Sequence, residues 1–256
     1  MRRFLIIIST IFSSTHCSSQ DTTNLKNWKT YQVPTDNDTL THYNWSNNDW
    51  IVFSKGNDIH ARLMGQMPFV NELPFKIEPL DEKEKYKMRG KRSVLKVDDG
   101  YLVGFWKGEW GGCLFWFNND GKQRYQVSGD MIVQFLKRNN KYYAIEGLAH
   151  LSMSDGSVIE IEKANGKWTT KEYVRLHFAP YAADIDSKNN FIIVTSDNLL
   201  SVDTNKKVDT LITEGFWGGL YPTSMVIKRD VAFVGMRHGV FRFYLPTKKQ
   251  EWLMRD

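Results

Sequence analysis

The sequence predicts an all-β fold, a five-bladed β-propeller of four-stranded antiparallel blades, and three observations carry that reading. A unit of turn, strand, turn and strand recurs five times along the 256 residues, at roughly 40 to 50 residues per copy, the length of a propeller blade. No long amphipathic helical pattern interrupts the series. Aromatic residues are abundant, with 9 Trp, 11 Tyr and 15 Phe, and flat rings pack well between stacked sheets.

The chain opens on Arg2 and Arg3, the apolar run 4–12 and a small polar stretch ending at Cys17. A charged start, a short apolar centre and a small-residue exit describe a secretory signal peptide, and the run is too short to span a bilayer. Cys17 followed by a polar tether resembles a lipoprotein signal, in which the cysteine is acylated, although His16 stands where that pattern has a small residue. Cleavage nearby without lipidation is the other reading. Residues 1–19 are therefore assigned to signal peptide and tether, and 20–256 to a single propeller domain. Cys113 is then the one body cysteine, read as a buried small hydrophobe without a disulfide partner.

The strands follow in order. Residues 28–33 read as an extra strand on the outside of a blade that helps tie the ring shut, because open sheet edges invite pairing. Five apolar strands, 50–53, 101–104, 142–145, 191–194 and 232–235, each follow a polar turn rich in Asn, Asp, Lys or Gly. Partner strands are expected at 58–63, 113–117, 148–153, 199–202 and 240–244, the last with the alternation of a half-buried strand. Further strands precede some pairs (93–97, 131–136, 224–227) or follow them (122–127, 208–212). The segment 68–92 is the least regular and leaves room for a sixth, degenerate blade.

With this strand rhythm over residues 40–256, the chain resembles bacterial β-propeller repeat proteins. It lacks the Gly-His and Trp-Asp pair of WD40 blades, so the resemblance implies a ring of blades and no narrower family.

Composition limits the functions. The formal charge is +5, and without Arg2 and Arg3 it is 32 basic residues against 29 acidic ones, or +3. That is too mild to imply nucleic acid. The basic run 83–92 reads as a solvated inter-blade loop.

In a propeller, the turns between second and third strands share one face with the inter-blade links. That rule places Glu109, Trp110, His150, His177, Tyr181, Glu214, Trp217, Tyr221, Arg237 and His238 together as candidate binding residues. The motif Trp-Gly-Gly occurs at 110–112 and 217–219, and its indoles read either as a ligand platform or as plugs between blades. Arg237 is expected to pair with Glu214 or Glu146 across the ring, or to meet an anion with its planar fork. His150, His177 and His238 lack metal-ligand spacing, and no metal or other cofactor is expected. No nucleophile elbow or phosphate-cradling glycine loop is present.

The sequence therefore points to an exported, non-enzymatic module of the periplasm or envelope, anchored at most through Cys17. It is expected to be a monomer that meets a protein or glycan through its loop-rich face, an inhibitor or immunity protein being one case. The alternative is a polysaccharide-acting hydrolase or lyase with carboxylates in the central funnel.

Overall fold

A computed structural model describes residues 22–65, 73–151 and 153–255. The leader and Cys17 lie outside the described residues. Five antiparallel sheets are arranged around one axis. Blade 1 holds Trp50–Lys55, Asp58–Leu63 and the short Thr23–Asn24. Blade 2 is Lys91–Val97, Gly100–Trp106, Gly112–Asn118 and Arg124–Ser128, and blade 3 is Ile132–Arg138, Lys141–His150, Met153–Ala164 and Lys167–Leu176. Blade 4 is Pro180–Ile185, Phe191–Thr195, Leu199–Val202 and Val208–Ile212. Blade 5 is Ser224–Lys228, Val231–Gly235, Val240–Tyr244 and Gln250–Met254, with Lys29–Tyr31 added at its outer edge.

The inner strands of blades 2, 3, 4 and 5 stand side by side in that order, and the inner strand of blade 5 then meets Trp50–Lys55 of blade 1. Because each sheet is covered on both faces by its neighbours, central strands carry unbroken apolar runs. Every residue of Phe191–Thr195 is buried. The core between blades 4 and 5 is built on Trp217, Phe241, Phe243 and Trp252, and that between blades 3 and 4 on Tyr143, Val158 and Phe191. At the seam of blades 2 and 3 the Ile132 side chain lies where a Cβ on Gly104 would stand, 2.5 Å away, so only glycine lets these sheets approach.

The N-terminal segment closes the ring. Thr23–Asn24 pairs with Asp58–Leu63 of blade 1, and Lys29–Tyr31 pairs with Gln250–Met254 of blade 5. Between them the turn Leu25–Asn27 is capped by the Asn24 side chain, which accepts from the Lys26 N–H at 3.0 Å. Leu25 and Trp28 are buried against Trp50, Val240 and Leu253, with the indoles of Trp28 and Trp50 edge-on at 4.7 Å. One short stretch thus ties the first blade to the last, as expected of 28–33.

Three expectations change. Residues 50–53 form the inner strand of blade 1 rather than its second, so this blade has only two full-length strands. In blade 3, residues 148–150 continue the second strand and the third begins at Met153. The described part of 68–92 is not a blade: residues 73–90 form a flap on blade 2, and Lys91 and Arg92 open that blade's inner strand. Leu73 is buried in the core of that blade, Phe75 packs on Phe117, and the Glu84 carboxylate accepts from the Arg124 guanidinium at 2.7 Å. Among the described residues helix is confined to short pieces, chiefly Asn37–Asn44, capped by Asp36, and Glu82–Lys87, capped by Asp81.

Candidate functional site

All five blades contribute to one funnel on the axis, with a cavity of about 340 Å³. It opens on the face that carries the turns between second and third strands. Its wall is largely apolar: Trp106, Ile132, Leu148, Ala179, Pro180 and Pro222 contribute, with the phenols of Tyr181 and Tyr221 beside them. Trp106 is held in place because its indole N–H donates to the Gly147 carbonyl of the next blade at 3.2 Å. Burial, followed by the nearby Tyr221, raises the Tyr181 phenol above its ordinary value.

Asp49 is the only carboxylate residue on this wall among the described residues, and it is occupied. The Arg237 guanidinium donates to its Oδ1 at 3.0 Å and to the backbone and side-chain oxygens of Asn44 at 3.1 and 2.9 Å. The two residues also form an isolated backbone bridge, and the guanidinium lies 4.7 Å from the centre of the Tyr221 ring. Arg237 is therefore an inter-blade clasp. Its partner is Asp49, not Glu214 or Glu146, because the link into blade 1 brings Asp49 to the end of blade 5.

The other candidate residues divide between rim, interior and clasp. Trp110 is 68% exposed on a single 3-10 turn at the rim. Beside it Glu109 lies 2.8 Å from His150 Nε2, a pair at the mouth of blades 2 and 3. Tyr221 is half exposed, and His177 and Glu214 are exposed in the links on either side of blade 4. His238 stacks on Tyr43 of the helix Asn37–Asn44 at 4.1 Å, and burial, then His42, lowers its pKa.

Trp217 leaves the rim set. It is fully buried, its indole N–H donates to the Thr195 carbonyl at 2.9 Å, and its ring lies where a Cβ on Gly215 would stand. The two Trp-Gly-Gly motifs thus take opposite roles, one at the rim and one as a plug.

Three further carboxylates, on or next to blade strands, are structural. Asp184 accepts from the backbone N–H of Ile227 in the next blade at 2.6 Å, and Asp186 caps its own turn. Glu146 accepts from the Ser157 hydroxyl at 2.6 Å, and burial raises its carboxyl above the usual range. Among the described residues no group of three or more His, Cys, Asp or Glu is placed to hold a metal ion.

Sequence reasoning missed part of this face. Trp45, Met64, Leu151 and Met153 are largely exposed there, at 78%, 48%, 91% and 61%. Trp45 adjoins Asn44 under Arg237, Met64 lies on the funnel wall, and Leu151 and Met153 form the hairpin above Ala149. Each stands at the end of a strand or in a link, where no period marks it.

With this geometry in view, comparison with known proteins is limited to architecture. No family model and no curated protein matches the chain. Solved chains similar to it include virginiamycin B lyase from Staphylococcus aureus, with 11% identity, a TM-score of 0.46, and coverage of 65% of this chain and 56% of that one. The extracellular domain of the putative one-component system BT4673 from B. thetaiotaomicron has 11% identity, a TM-score of 0.43, and coverage of 62% and 23%. TolB from Acinetobacter baumannii has 9% identity, a TM-score of 0.41, and coverage of 66% and 44%. The chain is a β-propeller repeat protein. It spans little more than half the length of the lyase chains it matches. At these identities the likeness is one of fold, and this chain's own sheet order carries the assignment.

Proposed function

We propose that the chain is an exported, non-enzymatic binding module that takes a protein partner on its funnel face. The observation behind this reading is that six of the ten exposed large apolar side chains among the described residues gather at one end of the ring. Trp45, Met64, Trp110, Leu151, Met153 and Tyr221 all lie on the face where the funnel opens. Exposed apolar groups gathered on one face mark contact surfaces, and Trp and Tyr carry a large share of binding energy where they are desolvated. Leu and Met beside the aromatics favour a protein over a glycan, which is gripped mainly by ring faces and polar groups. A polysaccharide-acting hydrolase would need paired carboxylates across the funnel, and Asp49, the one on its wall among the described residues, is engaged by Arg237. Export rests on the leader pattern, with Cys17 as the proposed lipid anchor.

The test is capture from an envelope extract on immobilised protein. Trp110→Ala combined with Tyr221→Ala should lose the captured partner while the melting temperature is unchanged. Tyr31→Ala combined with Val208→Ala, at exposed positions on outer strands, should keep it. Retention by the first pair, or equal loss by the second, would contradict the reading. Cys17→Ser should move the protein from membrane to soluble fractions, and unchanged fractionation would remove the anchor.

A further inference from the structure

The funnel holds one charge that the described protein does not answer. Besides the Asp49–Arg237 pair, the only charged side chain on its wall is Lys91. Lys91 opens the inner strand of blade 2, opposite Trp106. The chain enters this strand through Gly90 at φ +91°, where a Cβ would stand 2.1 Å from the Trp106 carbonyl oxygen. A glycine is therefore required there, and it fixes where Lys91 begins. Solvent reaches the lysine through the funnel mouth. Even so, no ion pair or side-chain hydrogen bond engages its ammonium among the described residues. Desolvation alone acts on it and draws its pKa below the ordinary lysine value. Lys91 is exposed at the mouth, so an anionic head entering there meets its ammonium with no partner among the described residues to displace.

We propose that the funnel binds a small organic anion, an apolar body with a single acidic head that pairs with Lys91. The cavity of about 340 Å³ is at the small end of ligand sites, which run from about 300 Å³ upward and combine apolar walls with a few placed polar groups. The body lies against Trp106, Ile132 and Pro180, and the head meets the lysine. Arg237 is already held by Asp49 and Asn44, so the charge balance calls for one negative charge and not two. This inference is independent of the rim reading, since the funnel can fill whether or not a partner covers it.

Two dyes of one aromatic frame test it: anilinonaphthalene sulfonate, which carries an anionic head, and uncharged N-phenylnaphthylamine. Wild type should bind both with enhanced fluorescence. Lys91→Met should weaken the sulfonate about tenfold or more, as expected for one charge-assisted contact, with the uncharged dye changed less than about twofold by the same reasoning. Lys91→Arg should restore the sulfonate. Ala149→Trp, which fills the funnel, should abolish both. Lys228→Met with Arg229→Gln, at the separate cavity between blades 5 and 1, should change neither, and near-UV circular dichroism confirms that each variant is packed. Failure of wild type to bind the sulfonate, parallel loss of both dyes in Lys91→Met, or persistence of sulfonate binding in Ala149→Trp would overturn the proposal. Its overturn would leave partner capture at the rim unaffected.

Discussion

Replacing each tryptophan of the repeated Trp-Gly-Gly motif separates a plug from a rim residue by stability alone. Trp217 is fully buried between blades 4 and 5, with Phe216 at 5.5 Å and Phe241 at 5.8 Å. Trp217→Ala removes these contacts, opens a cavity over Gly215 and leaves the Thr195 carbonyl without its indole donor. Truncating a buried Trp costs about 3–5 kcal/mol, and the lost hydrogen bond places this site toward the upper end. At about 2–4 °C per kcal/mol for a domain of this size, the melting temperature should fall by roughly 10–15 °C. Trp110 is mostly in solvent, and Trp110→Ala should change stability by no more than about 0.5 kcal/mol. Thermal and urea unfolding followed by circular dichroism measure both. Equal losses, or a Trp217→Ala protein as stable as wild type, would refute the assignment of plug and rim.

Two buried groups give further expectations. Burial raises the Glu146 carboxyl, and the Ser157 hydroxyl that donates to it offsets only part of that effect. The folded state therefore binds this proton more tightly than the unfolded chain. Its contribution to stability is present at low pH and is lost as pH rises through the folded-state value. Glu146→Gln, which keeps an acceptor for Ser157, should be more stable than wild type at pH 7, with the gap closing on acidification; a gap independent of pH would contradict this. The Cys113 thiol is buried, its Sγ lies 3.2 Å from the Lys87 carbonyl oxygen, and burial pushes its pKa up to about 11. It should resist alkylation by iodoacetamide at pH 8 until the protein is unfolded, and rapid labelling of native protein mapped by mass spectrometry to Cys113 would show it accessible.

The architecture was largely readable because its determinants are local. Apolar runs such as 191–195, bounded by turn residues, are strands whatever surrounds them, and their spacing sets the blade count. The short blade 1 was not readable, because Trp50–Lys55 looks like any second strand until its neighbour across the ring is known. The site was readable only as a face. Turn positions placed Trp110, Tyr221 and Arg237 on one side, but burial depends on what lies opposite. Identical motifs therefore parted, and Arg237 found Asp49 from the far end of the chain. Lys91 sits inside a basic run that reads as a solvated loop. Only its place on an inner strand, just after a glycine with positive φ, turns it toward the axis.

Photo-crosslinking tests most directly whether the funnel face is the surface that recognises a partner. Benzoylphenylalanine placed at 110, 153 or 221, and separately at 31 or 208, samples exposed positions on that face and away from it. Irradiation in an envelope extract should yield a discrete adduct from the first three positions and none from the other two. Adducts from 31 or 208 alone, or from all five equally, would contradict recognition through the funnel face.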